Sequence, residues 1–282
     1  MKQPKVTATW IVKNEDKWIW YSIKSVIKYA DNILVYDTGS TDNTVKIIES
    51  INNPKITLKL KGLVNSKEFV KLRQQQLEEI DSDWFLVVDG DEVYPEDTIK
   101  SLSDEINKAQ EQTECIATRF YNCVGDVYHH NPKGNYNILG NLGNLTIRAI
   151  RRNIEGLHYG GLYLEGTEGL FDGKGVLIQD RERHIKLLNK YYFHMHSLCR
   201  SSANCPTMRR DKIKEGRTYH FGVGKPFDEN VALPEVFFAK RPPIVPNATE
   251  RLPSHISMKN FMFHLYHKVA FETRRGSNKK LP

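Results

Sequence analysis

The stretch Trp84-Phe85-Leu86-Val87-Val88-Asp89-Gly90-Asp91-Glu92 decides the fold of this 282-residue chain. Its five apolar residues in a row predict a strand that is buried on both faces, as in a parallel sheet. The acids that follow repel one another unless a cation lies among them, and ligands bind at the carboxyl ends of parallel strands. Because Gly90 lets the backbone turn sharply, Asp89 and Asp91 offer oxygen ligands to Mg²⁺ or Mn²⁺. An ordinary polar turn also explains Asp-Gly-Asp, so the rest of the chain has to decide between the two.

The residues around this stretch alternate between strand and helix patterns. The predicted strands of the first hundred residues cover 6–12, 33–36, 56–60 and 84–88, and the predicted helices cover 17–29, 45–51 and 66–80. This alternation predicts an α/β fold with a mostly parallel central sheet, helices on both faces and right-handed crossovers. The second half is less regular, with predicted strands at 115–121, 145–150, 175–178 and 191–196 and a loop at His129-His130.

The composition is that of an ordinary globular protein, with 39% hydrophobic and 27% charged residues. The apolar stretches are strand-length, shorter than the roughly 18 residues of a membrane-spanning helix. The amino terminus shows no signal-peptide core, which predicts a cytoplasmic protein. The cysteines lack a C-x-x-C pairing and are predicted to be free thiols: Cys115, Cys123, Cys199 and Cys205.

The charge is unevenly distributed along the chain. Residues 181–282 hold 20 Lys and Arg against 8 Asp and Glu, whereas residues 1–180 hold 21 against 26. From about residue 201 the sequence predicts a basic helix and then a Pro-rich tail. Such a region suits an anionic membrane surface, a nucleic acid or the phosphates of a substrate, and a merely soluble surface is an equal alternative.

A second polar turn follows the predicted strand 33–36. In Asp37-Thr-Gly-Ser-Thr-Asp-Asn-Thr44, Gly39 permits a tight turn and the hydroxyl or carboxylate side chains can cap the next helix. Asp37 can accept hydrogen bonds from a base or a ribose. Helix capping alone explains this segment, but together with Asp89-Gly90-Asp91 it predicts a nucleotide-and-metal site at one edge of the sheet.

These segments resemble the family 2 glycosyltransferases with the GT-A fold. Residues 6–16, V-T-A-T-W-I-V-K-N-E-D, are similar to the family's first strand and the Asn-Glu that follows it. Residues 37–44 are similar to its nucleotide-binding turn, and 87–92 to its D-x-D strand. Arg73 stands sixteen positions before Asp89, where such enzymes usually carry an Arg. Thr38 departs from the two acids that many members carry, which leaves base selectivity open.

The resemblance implies a GT-A catalytic domain over 1–200 and a basic extension over 201–282. The nucleotide-binding half is expected at about 1–95 and the acceptor half at about 96–200. The donor-binding positions that it implies are Ile11, Asn14, Asp37, Thr38, Arg73, Asp89, Gly90 and Arg200. Arg148 and Arg151 are alternatives to Arg200 for a leaving diphosphate, although for each of the three taken singly a surface charge is the favoured interpretation.

The general base that the resemblance requires is expected in the glycine-flanked segment 160–172. The resemblance makes Glu168 the first choice, because related sequences often carry an acid just before an aromatic-and-Asp turn such as Phe171-Asp172, and Glu165 is nearly as suitable. An exposed loop carboxylate is an equal alternative for each.

The resemblance implies a further metal ligand, because many such transferases place a His about a hundred residues beyond the D-x-D, here Asp89-Gly90-Asp91. In a strand, His194 and His196 point to the same face, and neutral imidazole suits Mn²⁺ better than Mg²⁺. His194 is the first choice and His196 the second. The predicted metal set is therefore Asp89, Asp91, His194 and His196, with a hydrogen-bonded structural histidine as the alternative.

The function predicted from these residues is a metal-dependent, inverting transfer of a sugar from a nucleotide diphosphate, preferably UDP, to a hydroxyl of a glycan or a lipid-linked glycan. A peptide- or protein-modifying transferase, a nucleotidyltransferase and a catalytically silent sugar- or membrane-binding module are alternatives. No nucleic-acid partner is expected. Apolar tail residues at 237–238 and 261–266 are predicted either to pack on the catalytic domain or to lie peripherally on a membrane.

Overall fold

The structure is a computed structural model and describes residues 3–161, 168–203 and 224–251. Its helices are α1 (Ile19–Val26), α2 (Thr44–Ser50), α3 (Ser66–Glu78) and α4 (Glu96–Lys108). Its strands are β1 (Val6–Val12), β2 (Asn32–Asp37), β3 (Ile56–Leu60), β4 (Trp84–Val87), β5 (Glu92–Val93), β6 (Cys115–Val124), β7 (Asp126–Asn131), β8 (Tyr136–Ile138), β9 (Asn141–Gly143), β10 (Leu145–Arg151), β11 (His158–Gly160), β12 (Gly169–Phe171), β13 (Ile185–Ser197) and β14 (Lys225–Pro226). Short 3₁₀ helices cover Ile178–Asp180, Glu182–His184 and Glu235–Phe238.

A ten-stranded mixed sheet forms the centre of the molecule, in the order β14-β7-β6-β10-β4-β1-β2-β3 with β13 beside β6 and β5. The strands β4, β1, β2 and β3 run parallel to one another, whereas β10 runs antiparallel to β4 and β6. Val12 pairs with Asp37 and Thr9 pairs with Val87, so β1, β2 and β4 end at the same edge. The α/β class predicted from the sequence is confirmed.

Buried aromatic side chains pack between the central strands and the helices that cover them. Trp84 of β4 and Trp10 of β1 are fully buried in the sheet core. The indole N–H of Trp10 donates to the Ser22 hydroxyl at 2.9 Å, which satisfies a buried donor and ties α1 to β1. These buried contacts therefore stabilise the packing of α1 on the sheet.

Several predicted elements differ in the structure. Residues 175–178 do not form a strand, because Asp172 accepts hydrogen bonds from the backbone N–H groups of Lys174 and Val176 and closes a turn there. The predicted loop at His129-His130 is wrong, since both histidines lie in β7. Helix α4 is not among the predicted helices, although Ile99, Leu102 and Ile106 form its buried stripe at spacings of three and four.

The cysteines differ from the prediction at one position. Cys115 and Cys123 are buried free thiols. Cys199 is bonded in a disulfide, so the expectation of a free thiol is wrong there. Cys205 lies outside the described residues.

The segment 224–251 packs back onto the core of the sheet. The ring of Phe237 lies 5.5 Å from that of Tyr21 and 6.4 Å from that of Trp18, measured between centroids. The Tyr21 hydroxyl donates to the carbonyl oxygen of Pro246 at 2.7 Å. The predicted basic helix and the apolar residues 261–266 lie outside the described residues. Among the described helices, none combines the length and the apolar character needed to cross a membrane.

Phe237→Ala is expected to lower the free energy of unfolding by about 3–5 kcal/mol, because it empties a fully buried aromatic site. The neighbouring Phe238 is 68% exposed, so Phe238→Ala is expected to change stability by about 0.5 kcal/mol or less. Urea unfolding of both variants measures the difference. Equal midpoints for the two variants would contradict the packing of this segment on the core.

Candidate active site

The predicted metal ligands Asp91, His194 and His196 meet at the carboxyl end of β4. The Nε2 atom of His194 lies 3.4 Å from Oδ1 of Asp91, and one ligand atom from each of the three residues lies within 4.8 Å of the others. Local backbone pairing produces this geometry, since Glu92 pairs with His194 across β5 and β13. The backbone N–H of Met195 also donates to the carbonyl of Asp91 at 2.9 Å.

This cluster fits a divalent cation. Asp91 is 1% exposed, and its Oδ2 atom is buried without a hydrogen-bond partner. Burial alone would raise the pKa of Asp91, but His194 and, more weakly, Arg200 hold it below the ordinary value. One ionised carboxylate and two imidazoles form a mixed oxygen and nitrogen set that suits Mn²⁺ better than Mg²⁺.

Asp89 points to a different set of partners. Its Oδ1 lies 3.7 Å from Nη2 of Arg73, and its Oδ2 lies 3.3 Å from Nη2 of Arg148. Burial opposes ionisation of Asp89, yet Arg148 and then Arg73 lower its pKa. Asp89 also belongs to a second possible ligand group with Glu92 and His194. The two arginines thus keep this carboxylate charged.

Arg148 is buried, and the reading of it as a surface charge is wrong. Its guanidinium forms an ion pair with the fully buried Glu92, and its Nε donates to the Tyr192 hydroxyl at 3.1 Å. Glu92 lies in β5. Burial raises the pKa of Glu92 to about 7, against the opposing effect of Arg148. Arg151 is structural, since it donates to the backbone carbonyl of Thr113.

Glu168 lies directly before β12 and faces the same group of charges. Its Oε1 is 3.8 Å from Nε of Arg73, which also contacts Asp89. Burial raises the pKa of Glu168, an effect that Arg73 partly offsets. A carboxylate with a raised pKa can take a proton near neutral pH. Glu165 lies outside the described residues.

The turn after β2 is built around Asp37. Its Oδ1 accepts the backbone N–H groups of Gly39 and Ser40, each at 3.0 Å, and Gly39 has a φ of +85° that favours glycine. Its Oδ2 is buried with no hydrogen-bond partner, which leaves one acceptor for a ligand. The Thr38 hydroxyl donates to the carbonyl of Val12 at 3.0 Å and is used within the fold.

Asn14 connects this turn to the end of β1. Its backbone N–H donates to the Ser40 hydroxyl at 2.8 Å, and its side-chain oxygen accepts the backbone N–H of Thr41 at 2.8 Å. Ile11 is half-buried on the small apolar cluster beside α3, the helix that carries Arg73. These two predicted donor positions therefore shape the site through packing and backbone contacts in the described structure.

Glu15 is a site residue that the sequence prediction missed. It is 5% exposed, its Oε1 lies 3.0 Å from Nη1 of Arg200, and the same nitrogen is 3.7 Å from Oδ2 of Asp91. Burial and the nearby Asp91 raise the pKa of Glu15. Gly90 makes room for it, since a Cβ at that position would lie 2.8 Å from Cγ of Glu15. The only sequence signal was its place in the Asn-Glu motif after β1.

A family model described as glycosyl transferase family 2 matches residues 10–161, more than half of the chain. The chain belongs to glycosyl transferase family 2. The match runs from β1 past β11 and includes Asp37, Arg73, Asp89 and Asp91.

Curated relatives of this family member come from Rickettsia. An uncharacterized glycosyltransferase of Rickettsia bellii is 36% identical over 102 residues, which cover 36% of this chain and 31% of the relative. One of Rickettsia felis is 35% identical over 102 residues, with 36% and 32% covered. The matched segment thus spans about a third of the length of these relatives.

Solved structures with similarity to this chain include two bacterial proteins. Staphylococcus aureus TarS 1-349 in complex with UDP-GlcNAc has a TM-score of 0.46 and 19% identity, with 77% of this chain and 66% of that chain covered. Glucosyl-3-phosphoglycerate synthase from Mycobacterium tuberculosis, in complex with Mn²⁺, UDP-glucose and phosphoglyceric acid, has a TM-score of 0.46 and 17% identity, with 75% of each chain covered.

Arg148→Met is expected to lower the free energy of unfolding by about 3–5 kcal/mol, because it leaves Glu92 buried without its cationic partner. The double variant Arg148→Met/Glu92→Met is expected to recover much of this loss, since well-packed apolar residues can replace a buried ion pair at little cost. Urea unfolding of the single and double variants measures the coupling. A double variant less stable than Arg148→Met would show that the pair is not the source of the loss.

Proposed function

We propose that the protein is a metal-dependent, inverting glycosyltransferase that moves a sugar from a nucleotide diphosphate donor, with UDP as the nucleotide, to a hydroxyl group of a glycan or lipid-linked glycan. The observation that carries the proposal is the convergence of Asp91, His194 and His196 at the sheet edge where β1, β2 and β4 end. Family membership supports the same class of reaction.

Asp91, His194 and His196 would hold the cation, with Asp89 beside them. A bound Mn²⁺ or Mg²⁺ acts as a Lewis acid and neutralises charge that develops on a departing diphosphate. Arg200 lies on the Asp91 side of the cluster and Arg73 on the Asp89 side. Their guanidinium groups can donate paired hydrogen bonds to phosphate oxygens from either side.

Asp37 is suited to hold the nucleoside. Its buried Oδ2 offers an acceptor, and an imide N–H of a uracil ring is a donor of matching chemistry. An unpaired buried acceptor disfavours a ligand that brings no donor, so the turn can select among bases. Gly39 and Ser40 hold the other oxygen and fix the direction of the carboxylate.

Glu168 is the proposed general base. Its contact with Arg73 keeps it near Asp89, and the raised pKa suits removal of a proton from an acceptor hydroxyl. A base placed across from the leaving group produces inversion at the anomeric carbon. We also propose that the protein is cytoplasmic and that the basic region after residue 200 contacts a membrane peripherally.

Asp91→Asn is expected to weaken Mn²⁺-dependent UDP binding by about 100-fold, because it removes the charged ligand of the cluster. Isothermal titration with UDP, with and without Mn²⁺, measures the effect. Asp126→Asn is the matched control, since Asp126 forms a similar Asp–His contact with His129 at 2.6 Å on β7. Wild-type protein that binds UDP equally with and without Mn²⁺ would contradict metal dependence. A silent module would show no metal-dependent binding, and Asp91→Asn would leave its binding unchanged.

Glu168→Gln is expected to lower the transfer rate by about 10²–10⁴-fold while UDP binding is kept, because the amide cannot take a proton. The wild-type rate should rise with pH through a value above the ordinary glutamate pKa of 4.5, since the base works only when ionised and its pKa is raised. Initial rates across pH for Glu168→Gln and Glu165→Gln measure this. A loss confined to Glu165→Gln would assign the base to Glu165.

A further inference from the structure

The hairpin formed by β8 and β9 carries an exposed tyrosine on the face that turns toward the body of the protein. Tyr136 pairs with Gly143, and Ile138 pairs with Asn141, so these four residues lie on one face of the hairpin. Ile138 on this face is buried in the core, whereas Tyr136 is 57% exposed. Leu142 lies on the opposite face and is 70% exposed. The two exposed residues therefore face in opposite directions.

The hairpin is held firmly in place. Arg119 of β6 donates from Nη2 to Oδ1 of Asn141 at 3.1 Å and from Nε to Oδ1 of Asn189 at 3.0 Å. The turn at Leu139 and Gly140 has positive φ at both residues, the geometry of a tight two-residue hairpin. A ring on such a support is positioned before any ligand arrives, which lowers the entropic cost of binding.

The ring of Tyr136 is connected to the candidate metal site through one buried aromatic residue. Its centroid lies 6.2 Å from that of Phe120 in an edge arrangement, and the centroid of Phe120 lies 5.3 Å from that of His194. Phe120 is buried, whereas Tyr136 is exposed, so a ligand can reach the ring of Tyr136. The cross-strand position opposite Tyr136 is Gly143, so no side chain from that position covers the ring.

The chemistry of the hairpin suits a neutral carbohydrate. Residues 134–144, G-N-Y-N-I-L-G-N-L-G-N, contain no charged residue and four Asn. Asn135 and Asn137 are exposed beside Tyr136. An aromatic face packs against the C–H face of a sugar ring, and amide groups both donate and accept hydrogen bonds with hydroxyls. The nearby cations lie outside this segment, at Lys133 and at Arg119, and Arg119 already donates to Asn141 and Asn189.

We propose that Tyr136 is a platform for the acceptor, on which a neutral pyranose ring stacks so that its hydroxyl group is directed toward the site beside His194. The proposal rests on the glycosyltransferase function proposed above and names its acceptor class. Tyr136 determines acceptor affinity and has no part in donor binding, since none of its described contacts involves the residues assigned to the donor.

Saturation-transfer NMR with cellobiose, maltose and N,N′-diacetylchitobiose, without donor or metal, tests the platform directly. At least one disaccharide is expected to bind wild-type protein, and Tyr136→Ala is expected to weaken that binding by about tenfold. Tyr136→Phe should keep the affinity because the ring remains. Leu142→Ala, on the other face of the same hairpin, is the matched control and should bind as wild type does.

The proposal is overturned if none of the three disaccharides binds, or if Tyr136→Ala and Leu142→Ala bind equally. UDP titration with Mn²⁺ on the same variants separates this result from a failure of the proposed function. Unchanged UDP binding by Tyr136→Ala together with lost saccharide binding supports the platform. Weakened UDP binding by Tyr136→Ala would show that the ring supports the fold of the site and would overturn the acceptor role.

Discussion

The structure depends on the pairing of the acidic side chains after β4 with arginine and histidine side chains. Asp89, Asp91 and Glu92 follow β4, Asp91 and Glu92 are buried there, and an uncompensated buried charge costs several kcal/mol. Cationic or hydrogen-bonding partners come from separate elements: Arg73 from α3, Arg148 from β10, and His194 from β13. The need for these partners draws three distant parts of the sequence together at one point.

The carboxylates differ in how fully their oxygens are paired within the fold. Glu92 is fully buried and paired with Arg148, so its charge is satisfied within the fold. Asp91 keeps a buried oxygen without a hydrogen-bond partner, and so does Asp37 at the end of β2, which β1 separates from β4. Natural folds rarely leave such atoms unpaired, and exceptions are common where a ligand completes the set. Among the described residues, Oε2 of Glu15 is a third such carboxylate oxygen, and Glu15 shares Arg200 with Asp91, so these acids support the proposed ligand site.

The parts of the fold that could be predicted from the sequence are those set by local pattern. The apolar run of β4 and the alternation before it predict the parallel strands, and the spacing of His194 and His196 predicts that both reach one face. Arg148 and Glu15 were not predictable in the same way, because their burial depends on partners far away in the sequence. Nor does local pattern show that Phe237 fills the core while Phe238 remains exposed, since adjacent identical residues differ only in direction.

The most direct test of the central claim is pulsed electron paramagnetic resonance of Mn²⁺ bound to the wild-type protein and to His194→Ala. The proposed metal site predicts Mn²⁺ binding whose spectrum shows coupling to imidazole nitrogen, with that coupling reduced in His194→Ala and binding weakened in Asp91→Asn. Mn²⁺ that binds tightly with no nitrogen coupling would contradict the assignment of the histidines. Tight binding that survives Asp91→Asn unchanged would place the cation elsewhere.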